Sequence, residues 1–93
     1  MISAKAKAAR AELWCVRLLE QAGYVCTKAG GSLDVFDVIA IGPDDVRAIQ
    51  VKSGSARLSK RDREAIRALD VAENVRREYW RFPDRRDPII EPI

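Results

Sequence analysis

Four residues of this chain could carry chemistry together: Glu12, Asp37, Gln50 and Lys52. Two carboxylates and an amide are oxygen donors. A hard divalent cation such as Mg2+, with Mn2+ as a substitute, takes oxygen ligands and keeps several waters. A lysine beside such an ion can stabilise an attacking hydroxide or the charge that develops on phosphorus. The set suits metal-assisted hydrolysis of a phosphodiester. What is missing narrows the choice further. The 93 residues include no histidine, which removes Ser-His-Asp and Cys-His catalysis. Cys15 and Cys26 are the only cysteines, too few for the usual structural zinc patterns. Both have apolar neighbours and read as core thiols of a reducing compartment. Each of the four residues also has an ordinary reading: Glu12 bending out to solvent, the other three on a solvated strand face.

The elements that position these residues follow from composition and period. Residues 3–22 read as a helix with Ser3 as N-cap and Gly23 as the stop. Ala8, Cys15, Val16, Leu18, Leu19 and Ala22 form its apolar face, and Glu12 projects among them. A carboxylate there is costly unless something pairs with it. Residues 24–28, 33–41 and 46–52 read as strands, with a break at Gly30-Gly31-Ser32 and a turn at Gly42-Pro43-Asp44-Asp45. The last two strands must pair as a hairpin, because their connection is too short for a crossover. With the turn centred between Pro43 and Asp44, residues whose numbers sum to 87 lie opposite each other. Asp37 then faces Gln50, and Lys52, two residues on, shares their side. Phe36, Ile49 and Val51 fall on the other side. The helix is expected to pack on the face bearing Asp37, Gln50 and Lys52, bringing Glu12 to them. Residues 59–72 read as a second helix with Ser59 and Asp62 as a capping pair and Ile66, Leu69 and Val71 or Ala72 as sparse apolar positions. Residues 75–82 and 89–93 read as closing strands. The expected architecture is α/β, a mixed sheet flanked by helices in the order α-β-β-β-α-β-β, as one domain over residues 1–93.

Asp37 with Val38-Ile39-Ala40, followed by Ile49-Gln50-Val51-Lys52 and preceded by a helix-borne Glu12, resembles the PD-(D/E)XK signature. Within that superfamily the chain is most similar to the archaeal-type Holliday junction resolvases, over residues 9–53. The resemblance implies the restriction-endonuclease-like fold and a homodimer cutting branched DNA at two symmetric metal sites. It would assign metal binding to Glu12, Asp37 and Gln50, the catalytic amine to Lys52, and a supporting role to the loop residue Ser32. The chain departs from the pattern at Phe36, where proline is usual. It departs again at Gln50, where an acid is usual. An amide keeps an oxygen ligand but loses a negative charge, so metal affinity falls and a second metal is disfavoured. Other endonucleases of the same fold, of repair or homing type, and a non-catalytic DNA-binding module remain open.

Charge distribution fits a nucleic-acid partner. Basic residues number 17 against 14 acidic, and twelve of them are arginines, whose forked donors suit phosphate. Arg57, Lys60, Arg61, Arg63 and Arg67 follow the Lys52 strand. They either track phosphates of branched or duplex DNA or form a solubilising helix face. Arg76, Arg77, Arg81, Arg85 and Arg86 form a second group, diluted by Glu78, Asp84 and Asp87. Tyr79, Trp80 and Phe82 read as cover for the core or a dimer interface, with base stacking as the alternative. Trp14 sits near the edge of the first helix's apolar face, where a dimer contact is possible. A core this small is marginal alone, which favours self-association. No stretch reaches the roughly 20 apolar residues of a membrane span and no signal peptide is evident. A prokaryotic or phage-encoded protein of the host cytoplasm is expected.

Overall fold

The computed structural model describes residues 2–29 and 35–93. Helix α1 spans Ala4–Gln21, and the Ser3 hydroxyl accepts the Ala6 N–H at 3.1 Å as its N-cap. Gly23, at φ +93°, turns the chain away in the left-handed conformation that glycine adopts without steric cost. Strands β1 (Val25–Lys28), β2 (Val38–Ile41) and β3 (Val46–Ser53) form an antiparallel meander. Helix α2 (Lys60–Arg67) then carries the chain to β4 (Val75–Phe82), which pairs parallel with β3. Strand β5 (Ile89–Pro92) returns antiparallel to β4. The sheet order is β1-β2-β3-β4-β5. This is the expected α-β-β-β-α-β-β order and a mixed α/β sheet with a helix on each face.

The β2–β3 register is the one the turn chemistry implies: Val38 opposes Ile49, and Ile41 opposes Val46. Regular pairing stops there. The 33–41 strand expected from composition is strand only from Val38 onward among the described residues. Asp37 donates its N–H to the Ile49 carbonyl at 2.8 Å, one residue short of the Gln50 position that continued pairing would select. The ladder slips at Asp37, as at a bulge.

The core has two parts, one on each face. Ala11, Cys15 and Leu19 of α1 pack on Val38, Ala40, Ile49, Val51, Trp80 and Phe82. Helix α1 therefore covers the Ile49–Val51 face, not the Gln50–Lys52 face. The reason is plain in the strand pattern: Ile49 is fully buried and Val51 8% exposed, so that face holds the apolar surface a helix must bury. Ala8 and Ala22, placed by periodicity in the apolar face, are half-buried and exposed, whereas Ala11 is buried. On the opposite face Ile66 of α2 packs with Leu58 and Tyr79, and Val35, Phe36 and Ile93 close over them. The slip at Asp37 puts Phe36 here rather than beside Ile49.

Helix α2 is shorter than its composition suggests, ending at Arg67 rather than near residue 72. One nitrogen of the Arg77 guanidinium accounts for the stop. It donates to the carbonyls of Ile66, Arg67 and Leu69 at 2.9–3.1 Å, supplying donors to the orphaned end of the helix. Leu69 and Val71 are consequently exposed, outside any helix face. The capping pair does form, with the Asp62 N–H donating to the Ser59 hydroxyl at 3.0 Å. Both cysteines are free thiols, Cys15 buried and Cys26 half-buried. Burial above all, then the neighbouring Cys26, pushes the Cys15 thiol up to about 12, so it is an unreactive core residue. No helix among the described residues is long and apolar enough to cross a membrane.

Candidate active site

Strand β3 has eight residues and β2 only four, so the Gln50–Ser53 half of β3 has no β2 residue beside it in the regular ladder. That gap opens a pocket of about 510 Å³ at the end of the sheet. Glu12, Asp37, Gln50 and Lys52 all line it. Glu12 arrives from α1 on one face, while alternation along β3 places Gln50 and Lys52 on the other. They meet where, among the described residues, the regular β2–β3 ladder has ended. The four residues are thus brought to one place, though by a route other than a helix lying on their face.

Each side chain is positioned by a local cause. The Asp37 carboxylate accepts the Val51 N–H through Oδ2 at 2.7 Å. It takes the place of the β2 carbonyl that would continue the ladder, so the acid is fixed at the mouth of the gap. Glu12 is half-exposed. Burial raises its carboxyl above the usual value of 4.5, the charge of Asp37 raises it further, and Lys28 opposes them. The two acids therefore feel each other as like charges, a situation a cation between them would relieve. The side chains of Gln50 and Lys52 form no hydrogen bond or ion pair among the described residues.

Sequence reasoning missed several lining groups. Ala4, Lys7 and Ala8 of α1 border the pocket together with the stretch from Ser53 to Ala56. The signal was present as Ala4, Ala8 and Glu12 at spacings of four, one row on a helix with two small members that leave room beside the acid. Arg81, read as one of the second basic group, lies next to the site rather than in its lining. It pairs with Lys52 across the parallel ladder, and its buried Nε has no hydrogen-bond partner among the described residues. Glu78, read as diluting a basic cluster, is instead buried in a forked ion pair with Arg47 at 2.7–2.9 Å and accepts the Trp80 indole N–H at 2.9 Å. Tyr79 and Trp80 are core residues, each 2% exposed, and Phe82 is buried beside them.

The array Arg57, Lys60, Arg61, Arg63 and Arg67 lies outside the pocket lining. Arg63 is half-buried over the Tyr79 ring and reaches Glu91 at 4.0 Å, and Lys60 reaches Glu64 at 4.0 Å. Arg57, Arg61 and Arg67 are exposed. Ser32 lies outside the described residues. No group of three or more His, Cys, Asp or Glu side chains suited to a metal occurs among the described residues. Among the described residues the pocket lining offers two acids, Glu12 and Asp37, with the Gln50 amide as a further oxygen donor between them and Lys52 in sequence.

A five-stranded mixed sheet with one helix on each face is an α/β fold that is also found among solved structures. Among solved structures, the chain is similar to Archaeoglobus fulgidus Hjc, a Holliday junction resolvase from an archaeal hyperthermophile. The TM-score is 0.74 at 20% sequence identity, covering 89% of this chain and 73% of that one. No family model matches the chain, and no curated protein matches it.

Proposed function

We propose that the chain is a divalent-metal-dependent DNA endonuclease acting on four-way junctions, as a homodimer with one site per protomer. The observation that carries this reading is the meeting of Glu12, Asp37, Gln50 and Lys52 at one pocket. The fold shared with a protein described as a Holliday junction resolvase supports it. The donor set is all oxygen, which fits Mg2+ or Mn2+ and not zinc. Asp37 and Glu12 would hold the ion, with the Gln50 carbonyl as a neutral third donor. Three donors with two charges suit one ion better than two. When bound, the ion supplies Lewis acidity toward the scissile phosphate and the attacking water.

The chain's own residues do the rest. Asp37, clamped by the Val51 N–H, keeps its carboxylate in place without reorganising. Lys52 offers an ammonium that no side chain among the described residues pairs with, placed to stabilise negative charge on the attacked phosphate. Small Ala4 and Ala8 leave space for the substrate beside Glu12. The decisive experiment compares cleavage of a four-way junction with linear duplex of the same sequence, in Mg2+ and in Mn2+. Preferential cutting of the junction is expected. No cutting of either substrate overturns the enzyme reading.

One observation favours a second reading. With Gln50 in the place of an acid and no third carboxylate lining the pocket among the described residues, the fold would serve as a DNA-binding module without turnover. Gln50→Glu separates the two. A catalytic wild type gains metal affinity, cutting at about tenfold lower Mg2+, whereas a silent wild type acquires activity only in the variant.

A further inference from the structure

The pocket does not end at Glu12. Lys7 and Ser53 line both it and an adjoining groove, which continues past Arg10 to Trp14, Phe82 and Arg85. Trp14 and Arg85 in turn border a third depression with Arg86 and Asp87. Sharing these residues, the three hollows follow one another as a track from the pocket, between α1 and the β4–β5 turn, to Arg86. That turn is fastened to α1 by Lys7, whose ammonium lies 2.7 and 2.8 Å from the two Asp84 carboxylate oxygens. Gly54 lies beneath the clamp, where a Cβ would come within 3.1 Å of the Lys7 nitrogen. Arg85 is held at φ +60°, a left-handed conformation that costs a non-glycine residue roughly 1 kcal/mol.

The track has the makings of a nucleic-acid path. Arg10, Arg85 and Arg86 are exposed and form no ion pair among the described residues. Of the two acids on the turn, Asp84 is engaged by Lys7, leaving Asp87 against three arginines. The Trp14 indole is 43% exposed, its inner side tilted on Phe82 with ring centroids 5.2 Å apart. A supported aromatic ring among arginines is what a strand of DNA needs: stacking for a base and cations for the phosphates on either side.

Building on the nuclease reading, we propose that a DNA strand leaving the pocket runs along this track, with Arg10, Arg85 and Arg86 on its phosphates and one base stacked on Trp14. The test uses wild-type protein and a four-way junction with Ca2+ replacing Mg2+, so that DNA is bound and not cut. Trp80 is buried, so a change in indole emission reports Trp14. Emission is expected to fall on binding. Trp14→Leu loses that signal and binds about tenfold more weakly, while Trp14→Phe keeps most of the affinity. Arg85→Asn with Arg86→Ala, the asparagine tolerating the left-handed backbone, weakens binding about tenfold and lowers the salt slope by roughly 2. Wild-type affinity in both the Trp14→Leu and the arginine variants overturns the track and leaves the nuclease standing. Conversion of a dimer to a monomer by Trp14→Leu, seen by sedimentation, also overturns it, because a second copy then covers the indole. A wild type that neither binds nor cuts junction or duplex removes the nuclease reading itself.

Discussion

Asp37 holds two jobs in one carboxylate: it finishes the hydrogen bonding of β3 and it faces the pocket. The jobs separate by substitution. Asp37→Asn keeps an oxygen for the Val51 N–H, so the fold persists while cleavage falls by at least about 1000-fold, read in a junction-cutting assay. Asp37→Ala also strands a backbone donor and costs about 1–3 kcal/mol in urea unfolding. Glu12 shows the opposite balance. Its carboxyl is raised by burial first and by Asp37 second, so the folded chain holds that proton more tightly than the unfolded chain does. The stability it contributes is present below the unfolded pKa and lost as pH rises through the raised folded value. At neutral pH without metal, Glu12→Gln is therefore expected to raise Tm by about 1–3 °C, a small gain because the group is largely solvent-screened. The gain should vanish in melts near pH 4, and Mg2+ should raise the Tm of wild type but not of the variant. These residues were legible in the sequence because acids stood where strand parity and helix periodicity pointed inward. The route was not legible: parity cannot reveal that the ladder slips at Asp37, which depends on how far β2 extends.

Among the elements, β3 and α2 set the outcome. Strand β3 outruns β2, and among the described residues the pocket at that end of the ladder is lined from both faces of the sheet. This depends on a length difference between two strands, which composition blurred by running the second strand back to residue 33. Helix α2 rests on its sheet face through Ile66 and is closed by Arg77. Arg77→Ala is expected to cost about 1.5–3 kcal/mol by urea unfolding, since one guanidinium serves three carbonyls. Sequence pattern could not place that stop, because the residue that imposes it lies ten positions past the helix end, on another strand. Similarly, Glu78 looked like one acid in a basic run. Its partner Arg47 sits on β3, flanked by the Tyr24 and Trp80 rings at 5.6 and 5.4 Å. Glu78→Ala leaves that guanidinium buried and unpaired, at a cost of about 3–5 kcal/mol in the same measurement.

At the scale of the molecule, the fold order was readable because each strand is bounded by its own turn signals and each helix by its own cap. Layer assignment was harder, since which face a helix covers depends on the whole sheet. A chain of 93 residues buries a modest core, and Val25, Ile41 and Ile90 remain 47–74% exposed. Sedimentation is expected to show about twice the 10.4 kDa chain mass, with dissociation on dilution accompanied by loss of paired incisions.

The spatial sequence of the strands repeats their order along the chain. Neighbouring strands can therefore zip up by short-range steps, save for the single traverse from residue 54 to residue 74 that docks β4 alongside β3. That closure carries the largest entropic toll and is expected to set the tempo of refolding. The α1–β1–β2–β3 half, which holds Glu12, Asp37, Gln50 and Lys52, can then gather before the rest arrives. Weakening Ile66, which packs that traverse on Tyr79 of β4, would accordingly slow the refolding arm of a chevron plot more than it hastens unfolding.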